Sequence, residues 1–195
     1  MTARAAFWRR ILVYALYIAV CSLLQVTLPD SAALLGASPD LTLVLAVLCG
    51  YMFGTGDGLV IGLAAGFMRD LLAGRTLGLG MLLLMYAGIA SSVLLHRFFR
   101  RNILFGLVLV AFFTAAYAAV LVLLTYLVPP LPDVVYPIGE LLERARQALP
   151  GQVLVNLAAA LPLIFLLALL GPYRRSGRGD EPDGTIMGDS LWRVA

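Results

Sequence analysis

The sequence predicts an all-α polytopic membrane protein of about six transmembrane helices in one bundle. Three observations carry that reading: 62% of the residues are hydrophobic, only 13% are charged, and apolar runs follow one another with short polar breaks. Soluble domains average about 45–50% apolar and about 25% charged residues. A water-soluble globule of this composition would lack the polar atoms to cover itself, whereas lipid suits it as a solvent.

Spans fall near 11–28, 40–54, 57–73, 77–95, 103–127 and 152–171, where stretches of roughly 17–25 apolar residues, or shorter ones within hairpins, occur. The first follows Arg4, Arg9 and Arg10 and imitates a signal peptide, but its apolar run continues to Leu28, too long for a signal core. Likewise Val20, before Cys21, stands where lipoprotein processing needs a small residue. The second and third spans are short. Each reaches roughly 22–26 Å at about 1.5 Å per residue, so they are expected to tilt little or to sit in a thinned or protein-lined region.

Between them, Gly54-Thr55-Gly56-Asp57-Gly58 permits a tight turn and makes the two a hairpin. In the fourth span Gly88 and Ser92, and in the fifth Ala111, Ala115 and Ala119, recur four apart and predict close helix contact. The connection 128–151 opens with Pro129, Pro130, Pro132 and Pro137, which hold the chain extended. A short helix follows, with Ile138, Leu141, Leu142, Ala145 and Leu149 on one face and Glu140, Glu143, Arg144, Arg146 and Gln147 on the other. In this extracytoplasmic loop it reads as an interfacial helix or a docking surface for an extracytoplasmic partner, or else as a solvated connector lying on the headgroups. In the sixth span Asn156 and Pro162 line a cavity, kink the helix or make interhelical bonds. From 172 to 195 the chain turns polar, too poor in apolar residues to pack a core, and is expected to be a disordered tail.

The net charge is +3 and every basic residue is arginine. The arginines form no single patch, which argues against nucleic acid; they flank apolar runs, as orientation against an anionic leaflet requires. Arg4, Arg9, Arg10, Arg97, Arg100, Arg101, Arg174, Arg175, Arg178 and Arg193 fall on one side, and Arg75, Arg144 and Arg146 on the other. Both termini, including residues 1–10, are therefore expected in the cytoplasm, and an even number of spans agrees.

No catalytic machinery is legible. The glycines near residue 56 lack the register of a dinucleotide fingerprint, and no phosphate-binding loop occurs. The single histidine, His96, beside Arg97, cannot form a multi-histidine metal site and reads as an interfacial anchor. Cys21 and Cys49 sit in apolar runs as small hydrophobes. Neither enzyme activity nor a cofactor is expected.

The most informative feature is a stripe along the third span. Gly58, Gly62, Gly66, Asp70 and Gly74 recur every fourth residue, which places them on one slowly winding face where another helix backbone can approach closely. An unpaired carboxylate in hydrocarbon costs on the order of 2.5–3.5 kcal/mol at a helix centre, so Asp70 should face protein. Adjacent side chains point about 100° apart, so Arg69 is expected to snorkel outward. Arg75, a hydroxyl or a backbone amide is the expected partner of Asp70, whose role is either a conformational or partner-binding lock or a cap on the turn into the fourth helix.

The order of an arginine-flanked first span, Pro39-Asp40-Leu41 opening the second, a glycine turn, Gly62 through Gly74, and Thr76-Leu77-Gly78 resembles the rod shape-determining MreD family over roughly residues 7 to 171. Arg69 before the aspartate and the long proline-rich outer loop depart from that pattern. The resemblance implies a multi-pass inner-membrane scaffold of the elongasome. Its implied partners are MreC, the actin-like MreB, and the glycosyltransferase and transpeptidase of lateral peptidoglycan synthesis. It also implies that Pro39, Asp40, Gly58, Gly62, Gly66, Asp70, Gly74 and Gly78 serve helix packing or partner binding. MreD is similar in fold to the substrate-binding subunits of energy-coupling-factor vitamin transporters, which makes such a subunit the alternative function.

Overall fold

The computed structural model describes residues 3–27, 37–73, 78–95, 102–127 and 137–172. Within them the chain is all-helical, with six helices: α1 (Ala3–Thr27), α2 (Leu41–Phe53), α3 (Thr55–Ala73), α4 (Leu79–Leu95), α5 (Ile103–Leu127) and α6 (Ile138–Leu170). The expectations for Gly74, Arg75, His96, the prolines 129–132 and the tail from Tyr173 lie outside the described residues. Three segments are long and apolar enough to cross a bilayer, namely Phe7–Thr27, Ile103–Leu127 and Ile138–Leu170, and they suggest membrane association.

The shortest helix holds the centre. α2 has 13 residues, apolar apart from Thr42 near its start, which at about 1.5 Å per residue is roughly 20 Å, well short of a hydrocarbon core about 30 Å thick. Protein surrounds it instead of lipid, because Thr42 through Tyr51 are all buried. It packs on α3, α4, α1, α6 and α5. Asp40 starts the helix as its N-cap, the carboxylate accepting the Leu43 N–H at 3.0 Å. Gly54 ends it with φ at 108°, a backbone that L side chains rarely adopt, and Thr55 already begins α3. A one-residue connection thus folds α2 and α3 into an antiparallel hairpin.

Glycines join α3 to α4 over the most extensive interface in the fold. A Cβ on Gly58 would meet the Gly88 carbonyl, one on Gly62 the Leu84 carbonyl, and one on Gly66 the Met81 Cα at 2.5 Å. Backbone lies against backbone along the whole stripe, and the dispersion contacts so gained hold helices together where lipid supplies no hydrophobic drive. Gly50 closes the same layer from α2 against Gly88, and Ser92 bonds Thr55 at 3.0 Å.

α5 and α6 form a second pair. On α5 the buried positions are Gly106, Leu109, Val110, Phe113 and Thr114. Ala111 and Ala115 are only half-buried and Ala119 is exposed, so the alanine spacing does not mark the main interface of this helix. α6 corrects a boundary: the amphipathic segment after Pro137 and the sixth span are one helix of 33 residues, with Pro150 and Pro162 inside it. Each internal proline removes one i→i−4 hydrogen bond, and the chain continues because the flanking turns keep theirs. Arg144–Glu140 and Arg146–Glu143 pairs at 3.8 and 3.4 Å decorate its exposed front.

Candidate functional site

Hydrogen bonds between the helices sort into two ends of the bundle. At the end where α1 starts, Arg9 donates to the Gly171 carbonyl at 3.0 Å, Arg10 pairs with the buried Asp57, and the Tyr51 hydroxyl donates to the Asn102 carbonyl while accepting its N–H. At the opposite end the short α2 stops well inside the bundle, and a polar network gathers above it.

Asp40 is the hub of that network. Its backbone N–H donates to Asn156 Oδ1 at 2.7 Å, its Oδ2 accepts from Arg69 Nη1 at 2.7 Å, and its Oδ1 takes the Thr42 hydroxyl and the Leu43 N–H, both at 3.0 Å. Asn156 is fully buried and passes the chain of bonds on, donating from Nδ2 to Thr114 Oγ1 at 2.9 Å; Thr114 in turn donates to the Val110 carbonyl at 2.7 Å. Gln25 of α1 accepts from the Thr42 N–H, and Gln152 of α6 donates to the Ser38 carbonyl. Every helix except α4 therefore contributes a side chain or a backbone group here.

Arg69 does not snorkel outward. Its guanidinium reaches back along the hairpin to Asp40 and lies 5.0 Å from the centre of the Tyr117 ring. The expectation rested on the angle between adjacent side chains, and that angle holds; it separates Arg69 from Asp70 and aims it at α2 and α5. Such a pair needs excellent geometry, because both ions lose water on burial. It has that geometry, with a short charge-assisted bond, an aromatic face and two further donors on the carboxylate.

Asp70 takes the other direction. Its carboxylate accepts the backbone N–H of Gly78 at 2.9 Å, of Gly80 at 3.1 Å and of Met81 at 3.3 Å, so it caps the first turn of α4. Gly78 has φ at 118°, a backbone that favours glycine, and a Cβ on Gly80 would have to displace the Asp70 carboxylate. Of the residues singled out in the sequence, Asp40 belongs to the polar network and Pro39 lines the space beside it, Gly58, Gly62 and Gly66 belong to the α3–α4 contact, and Asp70 and Gly78 to the turn. Gly74 and Arg75 lie outside the described residues. Asp70 and Asn156 share no hydrogen bond among those residues.

A cavity of about 260 Å³ opens above the network. Gln25, Asp40, Arg69 and Asn156 form its polar floor; Ala118 and Leu121 of α5 and Ala145, Ala148 and Leu149 of α6 form apolar walls. Sequence reasoning missed Arg69, Gln25, Thr114 and Tyr117 as members of this site. No group of three or more metal-ligating side chains occurs among the described residues. No protein-family profile, curated protein or solved structure matches this chain.

Proposed function

We propose that this chain is a non-catalytic scaffold of the bacterial elongasome, of the MreD type, with six helices in the inner membrane and both termini in the cytoplasm. It would regulate cell shape and lateral peptidoglycan synthesis by binding MreC, in company with MreB and the elongation glycosyltransferase and transpeptidase. The observation that carries the reading is the use made of the buried polar side chains. Asp40, Asp57, Asp70 and Asn156 each bond another helix or the turn between two, a pattern that builds a stiff platform. The outer surface of that platform is apolar along α1, α5 and α6, with Leu12, Leu16, Leu104, Phe112, Leu161 and Phe165 more than half exposed. Arginine clustering supports the orientation: Arg4, Arg9 and Arg10 precede the first apolar run, and Arg9 bonds the Gly171 carbonyl at the end of α6, ahead of the arginines of the tail sequence.

The test is assembly in cells. Full-length chain should copurify with MreC, and its depletion should round the cells. Asp70→Leu, present at normal level, should impair both. Rod-shaped cells on depletion, together with no retention of MreC, would refute the scaffold. The second reading, a substrate-binding subunit of a vitamin transporter, is favoured by the cavity, and a copurifying ATPase with a bound vitamin would select it.

A further inference from the structure

We propose that the cavity above α2 is a binding site for an uncharged polar group carrying hydroxyl or carbonyl oxygens, either a free small molecule or the head group of a lipid. The inference is independent of the scaffold reading. It starts from the shape: a 13-residue helix ends where a longer one would fill the bundle, which leaves about 260 Å³ bounded by α1, α3, α5 and α6. That space is roughly nine times the share of one water in the liquid, about 30 Å³.

The chemistry of the ligand follows from which bonds remain to be made. Among the described residues, Asp40 and Arg69 are the only charged ones lining the space, and they neutralise one another. An anion would have to shed its water opposite an arginine already compensated, and a cation would find a carboxylate already holding three donors. Donors are in surplus. Arginine has five N–H groups, and among the described residues one atom of Arg69, Nη1, bonds Asp40. Because the Gln25 oxygen accepts the Thr42 N–H, its amide NH2 points elsewhere; because the Gln152 nitrogen donates to Ser38, its oxygen is left to accept. Donors on two sides, one acceptor and apolar walls suit a neutral hydroxylated or carbonyl-bearing group with a hydrocarbon portion.

The experiment uses full-length protein in phosphatidylcholine nanodiscs and a photoreactive alkyl glucoside, with labelled peptides mapped by mass spectrometry. Label is expected on the α5 and α6 walls, displaced by octyl glucoside and not by octanoate or octylammonium. Ala148→Trp, or Ala118→Phe should the first fail to fold, fills the space without touching the ion pair and should lower the label about tenfold, the equivalent of roughly 1.4 kcal/mol. Displacement by free glucose as well assigns the site to a soluble ligand, and displacement by octyl glucoside alone assigns it to a lipid. Label spread over the exposed leucines, unchanged in both filled variants, would overturn the proposal, as would equal displacement by octanoate.

Discussion

Gly62→Ala adds one methyl group where α3 and α4 touch, and the structure fixes the sign of its effect. The new Cβ would meet the Leu84 carbonyl oxygen and lie 2.7 Å from both the Leu84 carbonyl carbon and the Met85 Cα. All three are backbone, so no side chain can rotate away, and the helices must separate by about 1 Å. A gap of 0.5–1 Å forfeits roughly a quarter to a half of each dispersion contact it opens. Overpacking of this kind costs about 1–3 kcal/mol, against about 0.5–1 kcal/mol gained because alanine suits a helix better than glycine. The control is Gly56→Ala, in the same helix, whose added Cβ has nothing within 4 Å and should be neutral or stabilising. The helix gain is common to both variants, so they should differ by the overpacking cost, roughly 1–3 kcal/mol, which corresponds to about 2–12 °C in the unfolding midpoint of a chain this size. Cys21 and Cys49 are both buried and are the protein's only cysteines, so a thiol-reactive dye reports unfolding directly. Equal midpoints for the two variants would refute the backbone contact between α3 and α4.

Arg69→Gln strands the Asp40 carboxylate, which is only 6% exposed, and should cost about 3 kcal/mol, the lower end for a broken buried pair because the arginine keeps some solvent. Adding Asp40→Asn should recover part of the loss; a double variant as unstable as the sum of the singles, in the same thiol assay, would contradict the coupling. Asn156→Leu leaves the Asp40 N–H without its partner, while the Thr114 hydroxyl still donates to the Val110 carbonyl, and should cost about 1–3 kcal/mol for the one buried group left unpaired. An unaltered midpoint would show that water replaces the amide.

Hydropathy made the helices legible, and the glycine spacing named the tightest face, because both follow from a single periodicity. The connections across the bundle depended on register, which is written less openly. Once Gly54 is known to be the whole turn, Asp40 and Arg69 lie nearly the same distance from it along the two arms of the hairpin, and so do Gly50 and Gly58. Gly58 with Gly88, Gly62 with Leu84 and Gly66 with Gly80 are likewise all centred on residue 73. Mirror counting from a tight turn would have found the ion pair that the angle between Arg69 and Asp70 concealed. It would not have found Gln25, Thr114 or Asn156, whose helices are joined to this unit through longer connections that fix no register. The start of the sixth span near 152 fails for another reason: the helix begins at Ile138 and runs through Pro150, which it tolerates because the neighbouring turns remain bonded.

The brevity of α2 connects these features. A longer helix could cross lipid alone, but 13 residues cannot, so its ends must be met by protein, and each end is met by charge. Where the helix stops at Asp40, the unsatisfied amides of a helix start and the carboxylate that caps them would lie in a low-dielectric interior, and Arg69 with Asn156 makes that burial tolerable. Beyond its other end, Asp57 in the first turn of α3 meets Arg10 from α1. The hairpin is therefore tied at both ends, and between those ties the bare glycine face of α3 fixes α4 in place. Loosening the Asp40–Arg69 pair would disturb the floor of the cavity, to which both residues belong, whereas loosening the glycine contact would part α4 from the hairpin and leave the α5 and α6 walls intact, so the two kinds of substitution should separate in their effects on the cavity.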